Sequence, residues 1–137
     1  MQGSQTFVID IDDTISVTEK DENGDGIYPE AKPIQPVIDK INYLYQVGHT
    51  IILLTARGMR TFQGNTKKID VHHRPILEKW LSLHNVNYHT LIFGKPWGPN
   101  VHYIDDRGLT VDQFVDNKVN EFETCLTINK SNTYAKL

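Results

Sequence analysis

Short runs of apolar, β-branched residues alternate along this chain with stretches whose apolar residues recur at helical spacing, and most of the apolar runs end in polar groups. Thr6 to Ile11 (TFVIDI) reads as a strand buried on both faces of a parallel sheet. Ile34, Val37, Ile38, Ile41, Leu44 and Tyr45 then fall on one helical face, with Pro36 suited to a first turn and Gly48 to a C-terminal stop. A second strand is predicted at His49 to Thr55, followed by a polar loop from Ala56 to about Lys68. The next helix carries Ile76, Leu77, Trp80 and Leu81 on its apolar face, with Pro75 in its opening turn. Further strands are predicted at Tyr88 to Phe93 and Val101 to Ile104, separated by the loop Gly94-Lys95-Pro96-Trp97-Gly98-Pro99. This order predicts an α/β fold, a three-layer sandwich around a parallel sheet with right-handed crossovers.

Between the first strand and the first helix, Ser16 to Pro29 is polar and contains Asn23-Gly24-Asp25-Gly26, strong turn chemistry that predicts a flap over the strand's end. Beyond Arg107, Val111 to Val115 suits a short helix, while Asn117 to Leu137 carries little pattern. With 137 residues the chain fits one domain, with a core over about 5–116. Its formal net charge of -3, with Lys and Arg scattered, lacks the basic footprint of nonspecific nucleic-acid binding. The single cysteine, Cys125, cannot close an internal disulfide, and the N-terminus shows no secretory pattern, so a cytoplasmic location is expected. The longest apolar run, Ile51 to Leu54, is far below the roughly 20 residues that span a bilayer, and no membrane partner is expected.

In an open parallel sheet the ligand site lies beyond the carboxyl ends of the strands. Four polar clusters fall there: Asp10-Ile11-Asp12-Asp13-Thr14, Thr55-Ala56-Arg57, Gly94-Lys95-Pro96 and Asp105-Asp106-Arg107. Together they suit phosphate monoester hydrolysis, a reaction so slow unaided that enzymes accelerate it by up to ~10²¹-fold. A carboxylate, Asp10, can attack phosphorus and split the reaction into two displacements. A second, Asp12, can give a proton to the leaving group and take one from water. Repulsion among carboxylates and phosphate calls for a hard cation, typically Mg2+, with Asp105 or Asp106 supplying further ligands. Thr55 and Lys95 can meet the charge spread over the phosphoryl oxygens.

The order DxDxT, hydrophobic strand ending in Thr, Lys, hydrophobic strand ending in DD resembles the haloacid dehalogenase (HAD) phosphatase superfamily, over Phe7 to Arg107. The resemblance implies a Rossmann-like core, Mg2+, an aspartyl-phosphate on Asp10, acid and base duty for Asp12, phosphate contacts from Thr55 and Lys95, and metal binding by Asp105 and Asp106. The backbone carbonyl of Asp12 would be a further metal ligand. The segments TARGMRTFQGNTKKID, GKPWG and YIDDR look like a narrower group of small HAD proteins encoded with capsular polysaccharide genes, which implies a sugar phosphate or related small metabolite as substrate. The insertion points that hold a cap domain in many HAD enzymes carry only the flap near Glu19 to Tyr28 and the loop near Met59 to Lys68. A large substrate or a neighbouring subunit of a homo-oligomer would then have to close the site.

Several residues admit plainer readings. Arg57 and Arg60 could grip a phosphate or serve in structural ion pairs. Trp97 could stack on a sugar or close its loop on the core. Arg107 reads as a partner of the acidic pair beside it. Asp21, Asn23, Asp25 and Gly26 imitate a calcium loop, but Lys32 stands where a bidentate Glu is needed, so a flap turn is expected. His72 and His73 read as surface histidines, since adjacent residues diverge and no zinc pattern completes them. Two other functions compete: a phosphatase for polynucleotide ends, disfavoured by the missing basic patch, and a receiver-type phosphoacceptor module. Receivers place the acidic pair on the first strand and the phosphorylated Asp later, the reverse of the order here.

Overall fold

The computed structural model describes residues 3–134, with side chains to residue 131. The chain divides into two compact units, one over Gly3–Val101 and one from His102 onward.

The first unit is built on a parallel sheet of three strands in the order β1-β4-β5. β1 (Thr6–Ile9) pairs with β4 (Thr50–Thr55) from Thr6↔Thr50 to Ile9↔Leu53, and β4 pairs with β5 (Thr90–Phe93) from Ile52↔Thr90 to Thr55↔Phe93. Between β1 and β4 come the flap and α1 (Gln35–Gln46). Two short strands, β2 (Ser16–Val17) and β3 (Lys32–Pro33), pair antiparallel at the flap's base. α2 (Thr66–Leu83) links β4 to β5, so the α/β alternation expected from the sequence is present.

α1 forms as its spacing predicts: Val37, Ile38, Ile41 and Leu44 are buried, Pro36 lies in the first turn, and Gly48 follows the end at φ +101. α2 starts earlier than expected. Asn65 caps it by accepting the Lys68 amide at 3.2 Å, so Pro75 lies inside the helix rather than in its opening turn. Its buried face is Ile69, His73, Leu77, Trp80 and Leu81. Trp80 also donates its indole N–H to the Ala31 carbonyl at 2.8 Å, tying the flap's return to the helix.

The strands bury only one face. Phe7 and Ile9, Ile51 and Leu53, Leu91 and Phe93 share it, while Val8 on the other face is 60% exposed. The expected two-sided burial of the first strand is therefore not observed. Two histidines fasten the sheet at its entry: His49 Nδ1 accepts the Gln5 amide and His89 Nδ1 the Ile51 amide, both at 3.0 Å.

The second unit contains α3 (Val111–Asp116) and α4 (Phe122–Tyr134). A capping box of Thr110 and Gln113 starts α3, close to the short helix the sequence suggests. Phe114 stacks on Phe122 with ring centres 6.1 Å apart, and Cys125 and Leu126 are buried, so part of the weakly patterned tail forms a helix. Among the described residues no strand forms at Val101 to Ile104, contrary to expectation. Ile104 there is 93% exposed, and a strand exists only where its backbone groups are paired.

Candidate functional site at the end of the first strand

β1 ends at Ile9, and the chain then turns on a single acceptor. The Ile11 carbonyl receives the amides of Thr14 at 3.0 Å and Ile15 at 2.8 Å, while the Ile11 and Ile15 side chains are fully buried. Asp13 takes φ +64 to let the chain reverse, a conformation that Asp tolerates better than most residues. With the isoleucines as anchors, Asp10, Asp12 and Thr14 are left partly exposed.

Asp10 is held at both carboxylate oxygens. Lys95 Nζ lies 3.2 Å from Oδ1, and Thr14 Oγ1 donates to Oδ2 at 3.1 Å. Lys95 reaches it because Gly94, at φ +100, turns the chain as β5 ends, and the Lys95 amide bonds to the Thr55 carbonyl at 3.2 Å. Asp10 and Lys95, both expected at the carboxyl ends of the strands, are thus neighbours here, with Lys95 on the carboxylate itself.

Asp12 faces a different partner. Arg57 Nη2 donates to its Oδ1 at 2.8 Å and Arg57 Nε to its Oδ2 at 3.3 Å, while Thr18 Oγ1 from the flap donates to Oδ1 at 3.1 Å. Arg57 is only 3% exposed, and its guanidinium lies over the Tyr28 ring at 3.9 Å from the ring centre. Of the two roles open to Arg57, the geometry is that of an ion pair within the site. Thr55 is fully buried, and its hydroxyl oxygen accepts the Arg57 amide at 3.0 Å, so it shapes the loop that carries Arg57.

His73 corrects the surface reading: it is 5% exposed on the inner face of α2. Tyr28 and Phe62 meet it edge-on, with ring centres at 5.3 and 5.9 Å. Burial, and then the neighbouring His72 and Arg57 charges, push its pKa down to about 4. The Tyr28 phenol is raised, by burial first and by Asp12 next. Tyr28, Thr18 and His73 were missed by sequence reasoning. A lone aromatic within a polar flap was the one signal that could have pointed to Tyr28.

The remaining candidates have other contacts. Arg60 is exposed and reaches the flap turn, its Nη1 3.6 Å from where a Cβ on Gly24 would stand. Trp97 is exposed in the loop after β5. Asp21 Oδ1 accepts the amides of Asn23 at 2.9 Å and Asp25 at 3.0 Å, which makes this segment the expected flap turn. In the second unit, Asp105 Oδ1 accepts the Arg107 amide at 2.7 Å, and Asp106 lies 3.8 Å from Lys130 Nζ. Arg107 pairs with Glu123 on α4 at 2.8 Å, not with the acidic pair beside it as expected.

Among the described residues no three His, Cys, Asp or Glu side chains gather as a metal-binding group. The Asp10 carboxylate and the Asp12 carbonyl are nevertheless hard oxygen donors of the kind magnesium takes. Magnesium usually keeps several waters and needs only one or two carboxylates besides substrate phosphate, so this donor set fits it.

These features define an α/β protein with a parallel three-stranded sheet and a carboxylate-lysine group just past the carboxyl end of its first strand. A crystal structure of a structural-genomics target from Vibrio cholerae matches the chain with a TM-score of 0.80 and 32% identity, covering 91% of this chain and 98% of that one. At that identity and coverage the chain belongs to the same family as the Vibrio protein, whose description states no function. No family model and no curated protein matches it. Among the described residues no helix is long and apolar enough to cross a membrane.

Proposed function

We propose that this chain is a Mg2+-dependent phosphomonoester hydrolase of HAD type that acts through an aspartyl-phosphate on Asp10. The observation that carries the reading is Asp10 itself, partly exposed beyond a parallel strand with Lys95 Nζ at 3.2 Å and the Thr14 hydroxyl at 3.1 Å. Those donors hold the carboxylate in one orientation, so that an oxygen can be presented to phosphorus without further reorganisation. Lys95 also supplies a fixed positive charge where phosphoryl oxygens would lie.

In the first step an Asp10 oxygen forms a bond to phosphorus as the ester P–O bond breaks, and the leaving oxygen takes its electron pair and a proton from Asp12. In the second, water bonds to phosphorus and gives its proton to Asp12, while the bond from Asp10 to phosphorus breaks and phosphate leaves. Magnesium, held by the Asp10 carboxylate and the Asp12 carbonyl, would offset the charge of the phosphoryl group. Thr55 is assigned the phosphate contact that the HAD resemblance implies, and Arg60 and Trp97 remain assigned to the substrate's other groups. The three-layer, Rossmann-like arrangement belongs to the same proposal, as does a sugar phosphate of polysaccharide synthesis as substrate.

The test is phosphate release from a chromogenic phosphate ester, followed by a panel of sugar phosphates and nucleotides. Asp10→Asn is expected to abolish turnover, and a chelator to remove it reversibly. The metal role that the HAD resemblance implies for Asp105 and Asp106 is tested with Asp105→Asn and Asp106→Asn, each expected to raise the magnesium concentration needed for half-maximal rate. Normal release by Asp10→Asn would overturn the mechanism, and full activity in excess chelator would overturn the metal requirement.

A further inference from the structure

We infer that Arg57 is a positioning residue for Asp12, clamped by the flap through Tyr28 and Thr18, rather than a group that touches substrate. The inference rests on the reading of Asp12 as the proton-transferring group. Arg57 is buried while the Asp12 side chain is partly exposed, so the cation is the fixed partner and the carboxylate the one that solvent and substrate can reach. A bidentate fork sets the plane of a carboxylate as well as its distance, which a single donor cannot do. Thr18 adds a third donor to the carboxylate, the second on Oδ1, leaving Oδ2, with its single longer bond of 3.3 Å, as the oxygen freer to exchange a proton.

Arg57 is itself held at both its side chain and its backbone. Tyr28 covers one face of the guanidinium at 3.9 Å, the Thr55 hydroxyl accepts the Arg57 backbone amide, and the next residue, Gly58, packs closely on α2. A Cβ on Gly58 would stand 2.7 Å from His73 Cδ2, so the backbone passes as close to that ring as a chain can. Stability alone does not account for this investment. A buried ion pair is often no better than apolar residues of the same volume, and Arg57 Nη1 is buried with no hydrogen-bond partner among the described residues. Orientation of a working carboxylate does account for it. It also gives the flap a function without a cap domain: it supplies two of the contacts that aim the proton.

Substituted phenyl phosphates, from p-nitrophenyl to p-methoxyphenyl, separate this role from a structural one. A poorly aimed acid matters most for the leaving group that most needs a proton. Arg57→Lys, which keeps charge but loses the fork, is expected to slow the p-methoxyphenyl ester at least ~10-fold more than the p-nitrophenyl ester. Thr18→Val, a milder change at a partly exposed site, is expected to tilt the series the same way and covers the case of an unfolded Arg57 variant. Equal losses across the series, or a gain, in whichever variant folds would overturn the inference while leaving the hydrolase reading standing. No release from the unaltered protein on any ester would remove both.

Discussion

Gly58 stands at φ +81, with His73 and Ile69 packed where a side chain would begin. Gly58→Ala meets both a disfavoured backbone region and a hard contact, and is expected to cost about 1–3 kcal/mol, measured by chemical denaturation. His73, pressed against it, makes stability depend on pH. Its folded pKa of about 4 is below the ordinary 6.5, so the native state holds it neutral while the unfolded chain takes up a proton. Its contribution is complete above pH 6.5 and is lost as pH falls towards 4, with a slope approaching ~1.4 kcal/mol per pH unit. The groups acting on it are His72 and Arg57, which oppose protonation, and Asp12, which favours it. A His73→Leu protein should lack that part of the slope in denaturation curves taken from pH 7 to 4. An unchanged slope would mean the ring is hydrated in solution.

At the scale of elements, the sheet divides into faces of unequal weight. Leu53 is fully buried in the central strand between Ile9 and Leu91, so Leu53→Ala should cost about 2–5 kcal/mol, the usual range for a core cavity. Val8, on the opposite face of β1, is 60% exposed, and Val8→Thr should stay within about 0.5 kcal/mol. A comparison of the two by thermal and urea unfolding checks the assignment. A large loss at Val8 would mean that this face is covered in solution. The flap is the other element whose weight is unexpected: β2 and β3 are two residues each, yet the segment between them delivers Tyr28 and Thr18 to Arg57 and Asp12.

At the scale of the whole molecule, the two units meet in sequence at Val101 and His102. From there to Gly108 the residues are exposed and outside helices and strands. Exposed segments without backbone pairing are the first to be nicked. Limited chymotrypsin digestion should therefore cut first at Trp97 or Tyr103, giving fragments that match the two units by mass. Early cleavage inside β4 or α2 would contradict this division.

How much of this could be read in advance differs by kind of interaction. α1 was legible nearly to its ends, because its apolar spacing, Pro36 and Gly48 all act within a few residues of one another. The three sheet strands were also legible, as was the gathering of Asp10 and Lys95 at one place, since apolar runs ending in polar groups mark strand ends that a parallel sheet gathers on one side; the ion pair between them was not. Three other features were not. The run at Val101 to Ile104 has strand composition, but a strand needs a partner that local sequence does not supply. His73 looks like any helical histidine until the turn of α2 carries it inward beneath Tyr28. Arg57 and Asp12 are 45 positions apart, and only the β1-β4 register brings the turns that follow those strands side by side. The sequence by itself determined what is local: helix stops, turn chemistry and the residue types at the strand ends. Tertiary structure decided which cation each carboxylate faces and which sheet face is covered, because ion pairing and burial depend on distances set by residues far away in the chain.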